Sequence, residues 1–171
     1  EAARERRPGY PDAAYNLGLL HARRGRHDQA VAAFGAAART DASFRDVLRR
    51  LGDAEQDRGR HREAVDAYRK ALEVKGSDAG TLTRLGSSLV ELEQLGKALK
   101  AFEEAARLRP DEARTFLALG DVLARLRRTE PALHAYRHAA RLAPQAAAAH
   151  VALADLSRTS GRLDEAQTAY E

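Results

Sequence analysis

Apolar residues along this chain recur at spacings of three and four, which is the period of an amphipathic helix. One such stripe runs through Leu82, Leu85 and Leu89, and a second runs from Leu95 to Phe102 after a short polar break. The stripes are short and end at polar residues, glycine or proline. The pattern therefore predicts pairs of short helices joined by tight turns, and favours an all-helical protein.

The same pattern returns every 34 residues without a change of register. A leucine is followed by glycine, or by alanine in the last copy. Alanine stands thirteen residues after that leucine and an aromatic residue four residues later. Agreement at several columns over five copies argues against coincidence. The columns are Leu17, Leu51, Leu85, Leu119 and Leu153; Ala30, Ala64, Ala98, Ala132 and Ala166; and Phe34, Tyr68, Phe102, Tyr136 and Tyr170.

Each copy is interpreted as a helical hairpin that stacks on its neighbours. The small residue after the leucine and the alanine of the second helix would let two helices approach closely, and the aromatic residue would fill the space between hairpins. Gly25, Gly59 and Gly161 mark turns within hairpins, and Pro110 and Pro144 mark turns between them. One hairpin cannot bury its apolar face alone, so stacking must complete the core.

This pattern resembles the tetratricopeptide repeat (TPR) family over nearly the whole chain. The resemblance implies an all-α fold, a right-handed α-α superhelix or TPR solenoid of helical hairpins with a 34-residue period. Residues 1–10 are interpreted as the tail of a preceding repeat. The array itself is predicted to comprise residues 11–44, 45–78, 79–112, 113–146 and a truncated 147–171.

Neither end carries the polar capping helix that a solenoid needs for solubility. We therefore expect a segment of a longer bacterial repeat protein, or a chain whose remaining parts are disordered, with self-association through the uncapped ends as a further expectation. The chain begins with glutamate and contains no methionine, so its natural N-terminus is expected to be absent. A cytoplasmic location is expected, with the periplasm as the alternative; the absence of cysteine excludes disulfides and thiolate metal sites.

By resemblance, the protein is expected to be a scaffold for protein–protein interaction that binds a partner peptide or helix. The first helix of each repeat would line the concave groove with charges of both signs, which suits a partner that also carries both. Alternatively, these residues pair with one another across adjacent helices. The candidate groove residues are Asp12, Tyr15, Asn16, Leu19, Arg23, Arg49, Arg50, Asp53, Gln56, Arg84, Ser87, Arg114, Leu117, Asp121, Arg125 and Asp155.

An Arg-rich edge offers a second hypothesis, electrostatic binding of nucleic acid or an anionic membrane. Glu91 and Glu93 interrupt this edge, and the groove offers Tyr15 as its one aromatic platform, so nucleic acid is disfavoured and membrane binding is a weak candidate. Solvated turns are the preferred interpretation of the edge. Its arginines are Arg24, Arg26, Arg58, Arg60, Arg127 and Arg128.

No motif in the chain carries catalytic chemistry. His134 and His138 are spaced to share a metal on one helix, but no third ligand lies near them in sequence. We therefore predict that the chain is not an enzyme, and that it holds neither a metal nor a cofactor. A third hypothesis makes the array a rigid spacer attached to an enzyme domain outside this segment.

Overall fold

The structure is a computed structural model that describes residues 11–44 and 46–170, and the described residues fold into α-helices joined by short turns. The predicted all-α fold class is confirmed. The tail predicted for residues 1–10 lies outside the described residues. The helices are α1 Pro11–Arg23, α2 His27–Thr40, α3 Val47–Asp57, α4 His61–Lys75, α5 Ala79–Glu91, α6 Leu95–Leu108, α7 Ala113–Arg125, α8 Thr129–Leu142, α9 Ala147–Thr159 and α10 Leu163–Tyr170.

The helices form two compact units that divide within α5, between Ser88 and Leu89. In the first unit, α1 packs on α2, α2 on α3 and α3 on α4. In the second unit, the same sequential packing runs from α6 to α10, and α7 also contacts α9. Within each unit the helices therefore pack in chain order, as stacked hairpins require. None of the described helices is both long and apolar enough to cross a membrane.

The glycine column makes room for the aromatic column. A Cβ atom on Gly52 would lie 2.5 Å from the ring of Tyr68, and one on Gly120 would lie 2.4 Å from the ring of Tyr136. Both distances are far below van der Waals contact, so each ring lies directly over the glycine of its own hairpin. The structure thus adds to the predicted close helix approach a ring-on-glycine contact that periodicity alone did not show.

Most turns inside the hairpins use a glycine with a positive φ angle. Gly25, Gly59 and Gly161 have φ angles of 65°, 72° and 81°. The same column holds Glu93 in the third repeat and Arg127 in the fourth, with φ angles of 57° and 60°. Side chains with a Cβ atom tolerate this left-handed conformation poorly, so these two turns store local strain.

We expect Arg127→Gly to raise the free energy of unfolding by about 0.5–1 kcal/mol, since glycine removes the left-handed penalty but also gains freedom in the unfolded chain. Arg127 is exposed, so little packing is lost. Urea denaturation followed by circular dichroism measures the change. Glu93→Gly is the matched comparison and should gain less, because Glu93 pairs with Arg125. A loss of stability in Arg127→Gly would contradict this account.

The first two junctions between repeats lack the proline found at the next two, and carboxylates organise them instead. At the first junction, the Asp41 carboxylate accepts hydrogen bonds from the Ser43 amide at 2.8 Å and its hydroxyl at 2.6 Å, which lower the pKa of Asp41. At the second, Asp78 accepts hydrogen bonds from the amide and hydroxyl of Thr81 at 2.8 and 2.7 Å, which caps the start of α5.

Candidate partner-binding site

The candidate residues lie on the first helices of the repeats. We call the side of α1, α3 and α5 that carries them the first-helix face of the first unit, and the matching side of α7 and α9 that of the second. Each is described separately. The exposed candidates are Asn16, Arg23, Arg84, Arg114, Asp121, Arg125 and Asp155; the half-buried ones are Asp12, Leu19, Arg49, Arg50, Asp53, Gln56, Ser87 and Leu117.

Tyr15 is a correction to the predicted groove. Its side chain is only 6% exposed and belongs to the hydrophobic core of the first unit. The ring meets Phe34 and Phe44 edge-on, with centroids 5.8 and 5.7 Å apart, an arrangement that favours aromatic pairs. Tyr15 is therefore a packing residue, and the groove loses the one aromatic platform that the sequence offered.

Asp53 is the centre of the charged cluster on the first unit. Its carboxylate lies 3.5 Å from Nη1 of Arg49, 3.8 Å from Nη1 of Arg50 and 3.3 Å from Nη1 of Arg84. Arg84 reaches it from α5, the first helix of the next repeat. The alternative that the predicted groove residues pair with one another across adjacent helices therefore holds here. Three guanidinium groups thus lie within 3.8 Å of one carboxylate.

Tyr68 orients Asp53 through a hydrogen bond. Its hydroxyl donates to Oδ1 of Asp53 at 3.0 Å and lies 2.9 Å from the side-chain amide of Gln56. A single hydroxyl proton serves only one acceptor, so both contacts are satisfied when the Gln56 amide is oriented to donate. Burial and then the negative charge of Asp53 raise the pKa of Tyr68 far above its usual range. The hydroxyl is thus a fixed donor that orients Asp53.

A second carboxylate shares the cations of this face. Asp46 lies 3.0 Å from Nη2 of Arg49 and 3.4 Å from Nζ of Lys75. The hydrogen bond from Arg49 lowers the pKa of Asp46. Arg49 is thus held between Asp46 and Asp53 with its side chain only 20% exposed, whereas those of Arg50 and Arg84 are 40% and 46% exposed. Within this cluster, Arg50 and Arg84 are the arginines more open to solvent.

The first-helix face of the second unit carries a different set of contacts. The Tyr136 hydroxyl donates to Oδ1 of Asp121 at 2.8 Å. Packing around this carboxylate raises the pKa of Asp121, although the hydrogen bond from Tyr136 works in the opposite direction. Arg125 pairs with Glu93 instead of Asp121, and the two carboxylate oxygens of Glu93 each lie 2.7 Å from Nη2 of Arg125. Among the described residues, none forms an ion pair with Asp121.

The pairing of tyrosine with aspartate carries a sequence signal that the groove analysis missed. Where the aromatic column holds tyrosine, the residue fifteen positions earlier is aspartate. Where the column holds phenylalanine, that residue is leucine or serine, and neither side chain is a carboxylate. A hydroxyl needs an acceptor when buried, and a phenyl ring needs none. The couples are Leu19 with Phe34, Asp53 with Tyr68, Ser87 with Phe102, Asp121 with Tyr136, and Asp155 with Tyr170.

The Arg-rich edge is interleaved with carboxylates. Arg58 is half-buried, with Nε 2.6 Å from Asp28 and Nη1 3.1 Å from Glu55. In the second unit, Glu93 pairs with Arg125, and Glu130 pairs with Arg162 of the next repeat. Three of the arginines near the edge therefore join neighbouring repeats. Arg58 in particular is a structural residue and not a freely solvated cation of the Arg-rich edge.

Metal-binding geometry is absent from the part of the chain that the structure describes, which contains no group of three or more His, Cys, Asp or Glu side chains able to hold an ion. His138 instead stacks on Phe116, with ring centroids 4.1 Å apart. His134 is exposed on the same helix. The two histidines therefore have different surroundings: His138 makes a packing contact, and His134 lies on the surface.

Two family models, both described as tetratricopeptide repeat, match the sequence, one over residues 47–170 and the other over residues 1–46. The chain belongs to the TPR family. TPR proteins are in general protein-interaction scaffolds and are typically not enzymes. The protein is therefore an interaction scaffold in this general sense. No curated protein sequence matches it significantly.

Solved TPR structures share the fold. MamA from Desulfovibrio magneticus RS-1 is 22% identical, with 94% of this chain and 90% of that chain covered and a TM-score of 0.88. Pseudomonas aeruginosa PilF is 27% identical, with 94% and 73% covered and a TM-score of 0.81. YrrB, a TPR protein with an unusual peptide-binding site, is 21% identical, with 94% and 83% covered and a TM-score of 0.80.

Proposed function

We propose that this TPR chain is a scaffold that binds a segment of a partner protein on its first-helix face, and that an acidic group of the partner contacts Arg50 and Arg84. The observation that carries the proposal is the cluster around Asp53, where three guanidinium groups share one carboxylate and the side chains of Arg50 and Arg84 stay 40% and 46% exposed. YrrB, which has the same fold, is a TPR protein with a peptide-binding site, and a peptide-like partner is in keeping with this proposal.

Arginine suits this role because its planar head offers several N–H donors. Asp53 lies beside one terminal nitrogen, Nη1, of each guanidinium, and the exposed fraction of the Arg50 and Arg84 side chains leaves other donors open to a second carboxylate. Asp53 and Tyr68 hold the heads in place before a partner arrives, so less side-chain entropy is lost on binding. The partner group with matching chemistry is a carboxylate, from Asp, Glu or a chain terminus.

The test compares two double variants of equal charge. Arg50→Gln with Arg84→Gln removes both exposed cations but keeps most of each aliphatic stem. Arg62→Gln with Arg69→Gln removes two exposed arginines from α4, the second helix of the repeat that contains Arg50. Partner proteins captured from the source cell by the wild-type chain should bind at least roughly tenfold more weakly to the first variant, measured by calorimetry. The second variant should bind like wild type.

Circular dichroism and urea denaturation confirm that both variants remain folded. Binding as tight as wild type by both double variants would show that Arg50 and Arg84 do not contact the partner. Equal loss in both would indicate general charge attraction along the surface, and would favour the electrostatic alternative over a defined site. A selective loss in the first variant supports the proposal.

A further inference from the structure

The second and fourth repeats contain the same tyrosine–aspartate pair. Tyr68 donates to Asp53 at 3.0 Å in the second repeat, and Tyr136 donates to Asp121 at 2.8 Å in the fourth. The two pairs occupy identical columns, two repeat lengths apart. In both, a buried ring holds a carboxylate on the first-helix face of its unit. The second repeat therefore provides an internal comparison for the fourth.

The two carboxylates share the tyrosine donor and differ in their cations. Asp53 has three guanidinium groups within 3.8 Å, from Arg49, Arg50 and Arg84. The corresponding columns of the fourth and fifth repeats hold Leu117, Ala118 and Ala152. These shorter, uncharged side chains stand where the second and third repeats have arginine. The positions that would supply cations to Asp121 therefore carry no charge. The fourth repeat thus keeps the carboxylate and lacks its cations.

No other cation in the described part of the second unit takes their place. Arg125, one turn after Asp121, is engaged with Glu93 at 2.7 Å. Arg158, in α9, lies 3.7 Å from Asp155. Packing raises the pKa of Asp121, as expected for a carboxylate that is partly withdrawn from water without a cation beside it. A neighbouring positive charge would relieve this cost.

A leucine stands one helical turn before Asp121, and an exposed valine stands at the matching position of the next repeat. Leu117 is half-buried and packs against the cluster of Ala139, Ala140 and Ala149, which holds it in place. Val151, one repeat after Leu117, is 47% exposed. A long cationic side chain has an aliphatic stem and a charged head. The apolar residues would contact the stem, and the Asp121 carboxylate would pair with the head.

We propose that Asp121, with Leu117 and Val151, is the receptor for an arginine or lysine side chain of the partner protein. The head group pairs with the Asp121 carboxylate, as the arginines pair with Asp53 in the second repeat, and the stem lies on Leu117 and Val151. The Tyr136 hydroxyl keeps the carboxylate oriented. This inference rests on the proposed function, since it specifies the chemistry of the partner segment that binds the first-helix face.

The test uses peptides selected on the wild-type chain from a random peptide library. The peptides should be enriched in a required Arg or Lys, and changing that residue to Gln should weaken binding roughly tenfold. Asp121→Asn keeps an oxygen for Tyr136 and should weaken the same peptides by a similar factor. The two changes together should cost little more than either alone, which identifies a direct pair. Asp111→Asn is the control, because it removes an equal charge from an exposed site in the same unit.

The outcomes separate this inference from the proposed function. Peptides weakened by Arg50→Gln with Arg84→Gln but unaffected by Asp121→Asn would overturn the cation receptor and leave the first-helix face in place. Peptides insensitive to every first-helix variant, or a library without binders, would overturn both. Equal weakening by Asp121→Asn and Asp111→Asn would overturn the receptor in favour of general electrostatic attraction. Near-complete coupling between Asp121 and the peptide cation supports it.

Discussion

Gly52→Ala is expected to lower the free energy of unfolding by about 2 kcal/mol, although alanine is normally the better helix former. The added methyl group would lie 2.5 Å from the ring of Tyr68. That ring is fully buried and its hydroxyl is bonded to Asp53, so it cannot move aside without disturbing the core and the charged cluster together. Chemical denaturation followed by circular dichroism measures the loss.

Gly35→Ala is the matched control. Gly35 lies within α2, and the nearest atom to its added Cβ would be the flexible end of Arg39 at 3.6 Å. The substitution should therefore stabilise the protein by about 0.5–1 kcal/mol through helix propensity and unfolded-state entropy. Changes of the same sign and size in the two variants would show that the ring contact does not set the requirement for glycine at position 52.

Asp53→Asn and Asp121→Asn are expected to change stability in opposite directions at neutral pH, although they replace equivalent residues of the repeat. Removing the Asp53 charge leaves three guanidinium groups close together without their shared partner. We expect a loss of about 2 kcal/mol, typical of hydrogen bonds to a charged group. The same denaturation assay at pH 7 measures both variants.

The sign for Asp121→Asn follows from its raised pKa. Desolvation places the pKa of Asp121 above its value in the unfolded chain, which means that the charged form is less favourable when folded. This penalty is present at neutral pH and disappears as the pH falls below the unfolded-state pKa. Asparagine removes the charge and still accepts from Tyr136. The variant should therefore denature at a higher urea concentration than wild type at pH 7, and lose that advantage in acid.

A loss of stability in Asp121→Asn equal to that in Asp53→Asn would contradict the contrast between the two sites. The expected outcome has a functional meaning. A surface residue that weakens the free protein is commonly retained where a binding partner needs it. The cost at Asp121 would be offset when a cationic side chain binds, just as the arginines offset it at Asp53.

Periodicity made the helical hairpins predictable from the sequence. Each turn of helix is encoded by residues three and four apart, and the 34-residue register of Leu17, Leu51 and Leu85 shows where each hairpin begins again. The turns were also predictable, because a left-handed backbone conformation favours glycine. Glu93 and Arg127 break that rule, yet the structure gives them the same backbone conformation as the glycines. The packing of the hairpin outweighs the local preference.

The candidate site was predictable only in outline. The sequence placed Arg49 and Asp53 on one face of a first helix, but left open whether they face a partner or each other. The structure shows them paired, with Arg84 added from the next repeat. It also buries Tyr15 against Phe44, which lies in a linker outside the helical pattern. Contacts of this kind depend on which repeats meet, and a repeat's own sequence does not contain that information.

The sequence by itself determined the all-helical class, the repeat length and the alanine column that faces the core, since these depend on residues close together in one chain segment. The tertiary structure alone decided which charges neutralise one another. Arg58 joins Asp28 across two hairpins, whereas no cation of the described residues pairs with Asp121, although three pair with its counterpart Asp53. Charge pairing acts over a few ångströms in space, so only the stacked arrangement settles which side chains come within that distance.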